Sequence, residues 1–389
     1  MRKTVLILGL ILLPVFVFSF SEEVEVYAYL YRNSSNNLSR LTILQNMEQQ
    51  RLTGAGEFYA TALRDLVEGY TNIRSSTEKD AAADMAIILS KMLGIEKYSQ
   101  SAENLWRVVD AFPEPLVKSE ALIALGRIRS ATYLPHTIRL LNNYNERATT
   151  DRLSGERIAF GAIIALEKYQ DPSGYLPVFI ASTAWYSDRI RGQARKSMPL
   201  ISKDPTEYML QVVNGQRYSP SVKLIALQNI ESIDVSAQDK SKVAVAALAE
   251  GWRLTPPSAN IVMRKLAIDM INKYKTDDTS VYPLLDRSLT QDSDIDERLK
   301  AIASLASQQT EESVEILSKH LLRLVPRVEG SVGSIQVRDD DRRLLQAIIP
   351  ALGHTKKASA RRALNTVVSS KLTNAIKNSA DDALKNIPY

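Results

Sequence analysis

Asp292-Ser293-Asp294-Ile295-Asp296 has the opening spacing of a calcium-binding loop, in which alternate carboxylates turn toward one ion. The pattern does not continue. Its sixth position is Glu297, where the sharp turn needs Gly, and its twelfth is Ala303, where a bidentate Glu closes the shell. The same residues suit the start of a helix, and a helix cap is the expectation. Gly54-Ala55-Gly56 lacks the third glycine and the preceding strand of a dinucleotide loop. No Gly-x-Ser-x-Gly elbow, His-Glu-x-x-His pair or Walker sequence occurs. His136, His320 and His354 lie far apart, and with 44 acidic residues carboxylate pairs are too common to single out an acid and a base. The absence of Cys excludes a disulfide scaffold, a Cys zinc site, an iron–sulfur cluster, a thiol nucleophile and a lipid-anchor cysteine. No catalytic residue, metal ligand or cofactor is expected. Trp106, Trp185 and Trp252 are read as core or rim packing ahead of ligand platforms.

The first 21 residues stand apart. Arg2 and Lys3 precede an almost unbroken apolar run from Val5 to Phe18, followed by Ser19-Phe20-Ser21 and then Glu22-Glu23. This is the pattern of a secretory signal cleaved after Ser21. An uncleaved anchor needs about 20 apolar residues to span a bilayer, and this run is shorter. The mature chain is therefore expected to begin at Glu22, to be periplasmic or secreted, and to have no integral membrane segment. The 389 residues include 49 basic and 44 acidic groups, an excess that shrinks with Arg2 and Lys3 and makes no case for nucleic acid. A content of 45% hydrophobic and 24% charged residues belongs to an ordinary globular protein able to bury a core.

A repeat organises the remainder. An Ala seven residues after a capping residue recurs as Ala82, Ala121, Ala162, Ala194, Ala226, Ala267, Ala301 and Ala380, with Ile348 in the remaining place. The mean interval of about 37 residues fits two short helices with their turns. Ser75, Glu114, Gly155, Ser187, Ser219, Asn260, Asp294, Asp341 and Thr373 are the corresponding expected helix starts. Four residues beyond each Ala an apolar residue keeps one helix face apolar. Three residues before it stands Lys79, Lys118, Arg191, Lys223, Arg264, Arg298 or Lys377. These cations either form a ladder that grips an acidic ligand, or each covers its own apolar face and bonds neighbouring turns.

The stretch Val117-Lys118-Ser119-Glu120-Ala121-Leu122-Ile123-Ala124-Leu125-Gly126, with weaker copies at Ile190-Arg191, Val222-Lys223 and Met263-Arg264, resembles the second helix of HEAT-type repeats. The resemblance to this HEAT/armadillo-like family covers roughly residues 57–387. It implies stacked helix pairs that curve into a binding surface, mostly in scaffolds and in a minority of lyases or enzyme subunits. The Asp usual six residues before the basic position is present only as Asp292 before Arg298.

The predicted architecture is all-α: an α-solenoid of about nine stacked antiparallel helix pairs over 57–389, preceded by an N-terminal segment and capping helix at 22–56. First helices are expected near 57–70, 101–112, 131–143, 174–184, 205–214, 238–251, 279–290, 310–325 and 356–369, and a capping helix near 38–52. Glu23 to Tyr31 reads as a strand, a docking tail or a partly ordered terminus. The longest insertion, 326–340, carries Val328, Val332, Ile335 and Val337 around Gly330 and Gly333, a pattern for two extended arms about a glycine turn. Arg327, Val328, Ile335 and Arg338 are the candidate partner-binding residues, against the alternative of a surface loop with no role. The function this implies is a non-catalytic protein-binding scaffold of the cell envelope, its partner another protein. An enzyme or accessory subunit with a site on the concave face is the alternative, and a membrane-surface adaptor the third.

Overall fold

The computed structural model describes residues 22–388 apart from 149, 291 and 292. The signal-like segment 1–21 and Asp292 of the calcium-like spacing lie outside the described residues. Helix makes up 79% of the chain and no strand occurs among the described residues, so the protein is all-α.

The described residues divide into two compact units, 22–202 and 203–388. The first holds α1 (Glu22–Asn33), α2 (Asn37–Gln49), α3 (Gly56–Gly69), α4 (Ser76–Glu96), α5 (Ala102–Ala111), α6 (Pro115–Ile128), α7 (Leu134–Glu146), α8 (Arg152–Tyr169), α9 (Tyr175–Ala181) and α10 (Asp188–Ile201). Each odd-numbered helix packs on the even-numbered one after it, and α2, α4, α6, α8 and α10 pack each on the next. The second unit holds α11 (Thr206–Asn214), α12 (Pro220–Ser232), α13 (Ala237–Arg253), α14 (Ile261–Tyr274), α15 (Val281–Ser288), α16 (Ile295–Gln308), α17 (Glu311–Glu329), α18 (Ile335–Thr355), α19 (Arg361–Val368) and α20 (Asn374–Lys385). Here too odd packs on following even, and the even helices α12 to α20 contact one another in succession, as do the odd helices α11 to α19.

Local chemistry sets most helix starts. Ser75, Glu114, Ser187, Ser219, Asn260, Asp294 and Thr373 each immediately precede a helix, although Glu114, Ser187, Asn260 and Thr373 make no side-chain capping bond. Ser75, Ser219 and Asp294 accept the N–H groups of Glu78, Val222 and Glu297. Gly155 and Asp341 do not start helices. α8 begins after Asp151, whose carboxylate accepts the Ser154 N–H at 3.2 Å, and α18 after Ser334, whose hydroxyl accepts the Val337 N–H at 3.3 Å. An earlier capping side chain takes the first free amides, so the helix extends upstream. The eight repeat alanines are each 0% exposed and Ile348 is 1% exposed, which makes them the inner contact points of the even-numbered helices.

Two expectations fail for identifiable reasons. Glu23 to Tyr31 lies within α1, because Val24, Ala28 and Tyr31 form a helical stripe, buried, with Tyr31 edge-on to Phe58 at 5.3 Å. The period-two alternation of the tyrosines concealed that stripe. The arms of 326–340 are also helical, and only residues 330–334 connect α17 to α18. α17 closes in a Schellman motif: the Val332 N–H bonds the Arg327 carbonyl at 3.0 Å and the Ser331 N–H bonds the Val328 carbonyl at 3.3 Å. Ser331 takes the left-handed conformation this requires, with φ of 48°. Those bonds, with Ser334 capping α18, satisfy the backbone groups that a hairpin would have paired.

Candidate functional site

The seven repeat cations do not form one ladder. Lys223 and Arg264 are each 0% exposed. Lys223 pairs with Glu250, which also takes both nitrogens of the Arg253 fork at 2.6 and 2.7 Å. Burial pushes the Glu250 carboxyl up, and bonds from Arg253 and Lys223 bring it below the usual range. Arg264 meets Glu297 in a two-point pair at 2.7 and 2.8 Å, and its guanidinium lies over the Trp252 ring, 4.0 Å from the centroid. Lys118 donates to the Val109 carbonyl, and Arg191 pairs with Asp188 at 2.6 Å. Of these only Arg191 bonds its own turn; Lys118, Lys223 and Arg264 reach main-chain or carboxylate oxygens of other helices.

The other candidates resolve similarly. Asp294 caps α16 and, with Asp296, takes the Lys265 ammonium at 2.6 and 3.6 Å. Trp252 is buried beneath Arg264 and Arg287, the Trp185 indole donates to the Tyr144 carbonyl at 2.7 Å, and Trp106 stacks on Tyr133 at 5.5 Å.

Arg298 is different. Its Nε donates to the Ser293 carbonyl at 3.0 Å, while its two terminal nitrogens carry no hydrogen bond or ion pair among the described residues. It lines a cleft of about 550 Å³ in the second unit, walled by α16, α17 and α18 and by Leu289 and Thr290 after α15. Arg323 and Arg327 of α17 join it, facing Asp340 and Asp341 of α18. Ile302, Leu324, Leu344 and Ile348 supply the apolar lining. Each arginine is held at one point: Arg298 by the Ser293 carbonyl, Arg323 by His320 at 2.9 Å, and Arg327 Nε by Asp341 at 2.8 Å. Guanidiniums held in this way lose less side-chain entropy on meeting an anion.

His320 is the hinge of this arrangement. An arginine can only donate, so His320 Nδ1 accepts from Arg323, and Nε2 carries the proton donated to Asp286 Oδ1 at 2.5 Å. Burial is the main cause that holds the imidazole below its ordinary 6.5, with the Arg323 charge acting the same way against the bond to Asp286. On Asp286, burial raises the carboxyl, and the bonds from His320 and Lys319 outweigh it to leave it low. Arg298, Asp340 and Asp341 line the same cleft from α16 and α18. Because the folded imidazole takes its proton at lower pH than the unfolded one, the unfolded chain binds more protons just below pH 6.5. Stability is thus expected to fall as pH drops through that value, by at most about 1.4 kcal/mol per pH unit from this residue. Denaturant midpoints at pH 7 and pH 5 should differ less for His320→Gln than for the native chain. An unchanged difference would place the proton elsewhere.

Of the four residues nominated from sequence, only Arg327 lines the cleft. Val328 borders a separate hollow with Glu329, Lys371 and Leu372. Ile335 is 71% exposed at the first position of α18, and Arg338 lies one turn further on. In sequence His320 stands isolated from the other histidines and Arg323 is one arginine among many, yet 320, 323 and 327 share the three- and four-residue spacing of one helix face.

No protein-family model matches the chain, and no curated protein matches it. Among the described residues, no group of three His, Cys, Asp or Glu could hold a metal ion, and no helix is long and apolar enough to cross a membrane.

Proposed function

We propose that each unit is a run of HEAT-like helix pairs, a segment of α-solenoid, and that the protein is a non-catalytic protein-binding scaffold of the cell envelope. The observation that carries the reading is the cleft of the second unit, in which three anchored guanidiniums stand over an apolar lining. Arg is among the residues enriched at contact hot spots, and anchoring it in advance lowers the cost of ordering it on binding. The succession of odd-on-even pairs and of even-numbered helices supports the repeat reading, as does the burial of every repeat alanine. The signal-like segment 1–21 supports export to the periplasm or beyond.

The alternative, an enzyme or an accessory subunit of one, draws on the Asp286–His320 pair beside the cleft. Both ring nitrogens of that imidazole are already engaged, by Asp286 and by Arg323, which favours a positioning role over proton transfer.

A photo-crosslinking residue in place of Val337, which lines the cleft, tests the scaffold reading in the native cell. One defined protein is expected in the adduct, lost in Arg298→Gln/Arg323→Gln, on a chain whose first residue by mass spectrometry is Glu22. No protein adduct at Val337 would overturn the binding role, and an intact Met1 to Ser21 would overturn the cleaved export signal.

A further inference from the structure

We propose that the cleft of the second unit receives an acidic peptide segment, an Asp or Glu side chain flanked by aliphatic residues, and that Arg298 and Arg323 are its two anion receptors. The proposal rests on the scaffold reading and names the chemistry of the partner.

Three observations lead to it. First, the guanidiniums differ in how fully they are used. Arg327 already has a carboxylate, Asp341, at 2.8 Å. Arg298 is bonded only through Nε to a main-chain carbonyl, and Arg323 only through one terminal nitrogen to a neutral imidazole, among the described residues. Each therefore keeps nitrogens able to meet a carboxylate, and each is positively charged without a charged partner to neutralise it. Second, the bonds they do make fix their direction. Ser293 is buried and its carbonyl holds Arg298, while His320, 4% exposed, is locked by Asp286 and holds Arg323. Third, Ile302, Leu324, Leu344 and Ile348 floor the cleft but are themselves buried, so the hydrocarbon an occupant can reach is that of half-buried Val337 and of the arginine stems.

The opposite wall decides the class of anion. Asp340 and Asp341 line the same cleft. Its two carboxylates leave the three lining guanidiniums one formal positive charge in excess, which a single carboxylate neutralises and a dianionic phosphate would overfill. A side-chain carboxylate next to Leu or Val satisfies both surfaces. The volume of about 550 Å³ accommodates a few residues of an extended segment.

Fluorescence anisotropy on the full mature chain, with a labelled Glu-Leu-Glu-Leu-Glu peptide as probe, tests this. The Glu peptide is expected to bind at least about tenfold more tightly than its Gln counterpart, and Arg298→Gln and Arg323→Gln are each expected to weaken it by about tenfold. Arg298→Lys, which keeps the charge but loses the planar fork, should fall between. Melting temperature read alongside shows that each variant is folded, and rising salt should weaken the complex. Equal binding of the Gln peptide, indifference to both substitutions, or displacement by inorganic phosphate at lower concentration than by free Glu peptide would each overturn the proposal. If the Val337 adduct to a native protein forms while the Glu peptide does not bind, the acidic-segment assignment fails and the scaffold reading stands.

Discussion

Replacing Glu297 by Ala is expected to destabilise the second unit by about 3 to 5 kcal/mol, the largest effect of any single side chain outside the apolar core. Glu297 and Arg264 are both 0% exposed and meet through two hydrogen bonds at 2.7 and 2.8 Å. Removing the carboxylate takes the two-point partner from a guanidinium held in the interior, and most of the cost is the desolvation that partner had offset. Arg264→Met alone should be similarly harmful, since it strands the carboxylate. The double replacement Arg264→Met/Glu297→Leu removes both charges and is expected to recover most of the loss, because well-packed hydrocarbon commonly matches a buried pair. The arrangement around Arg264 sharpens the test. Its stem lies against Gly251, where an added β-carbon would stand 2.5 Å from Arg264 Cγ, and its head covers Trp252. Urea unfolding followed by tryptophan fluorescence, with Trp106 and Trp185 replaced by Phe in every variant so that Trp252 alone reports, reads the effect. Losses that simply add in the double variant, or a loss under about 1 kcal/mol for Glu297→Ala, would show that the pair is not the interior charge lock described.

Gly126→Ala is expected to cost about 2 to 3 kcal/mol, while the same substitution at Gly192 stabilises by up to about 1 kcal/mol. Both glycines sit inside helices, α6 and α10, where Ala is the better helix former. Packing reverses the sign at one of them. A β-carbon on Gly126 would lie 2.5 Å from the Ala165 carbonyl oxygen and 2.6 Å from its Cα, so α8 itself would have to move. Gly161 of α8 meets α6 in the same way, its added carbon 2.6 Å from Ser119 Cα. Nothing lies within 4 Å of the carbon that Gly192 would gain. Denaturant midpoints of the two variants should therefore move in opposite directions. A stabilised Gly126→Ala would mean that α6 and α8 are not in backbone contact.

The helices and most of their starts were legible because both rest on neighbours within a few residues. A capping oxygen at Ser75, Ser219 or Asp294 meets an amide three positions later, whatever the rest of the chain does. The same locality misled the reading of 326–340. Alternating valines around two glycines favour extended arms, yet a Ser331 in the left-handed conformation and a capping Ser334 close one helix and open the next. The cleft was less legible. Its lining runs from Leu289 to Ile348 across four elements, and only the spacing of 320, 323 and 327 hinted that three side chains share a face.

From the sequence alone came the all-α class, the nine small or apolar contact positions, and the seven cations set three residues before such positions. Only the tertiary structure decided what each cation does. Lys223, Arg264 and Arg298 occupy the same place in the repeat, and nothing within a few residues of them announces which will find a carboxylate. Lys223 finds Glu250 and Arg264 finds Glu297, partners 27 and 33 residues away, and both pairs are withdrawn from water. Arg298 has a main-chain carbonyl in place of a carboxylate and faces an open cleft. The physical reason is the cost of burying charge: a repeat cation enters the core only where the adjoining helix brings a carboxylate to neutralise it, and elsewhere stays where water, or an anionic partner, can reach it.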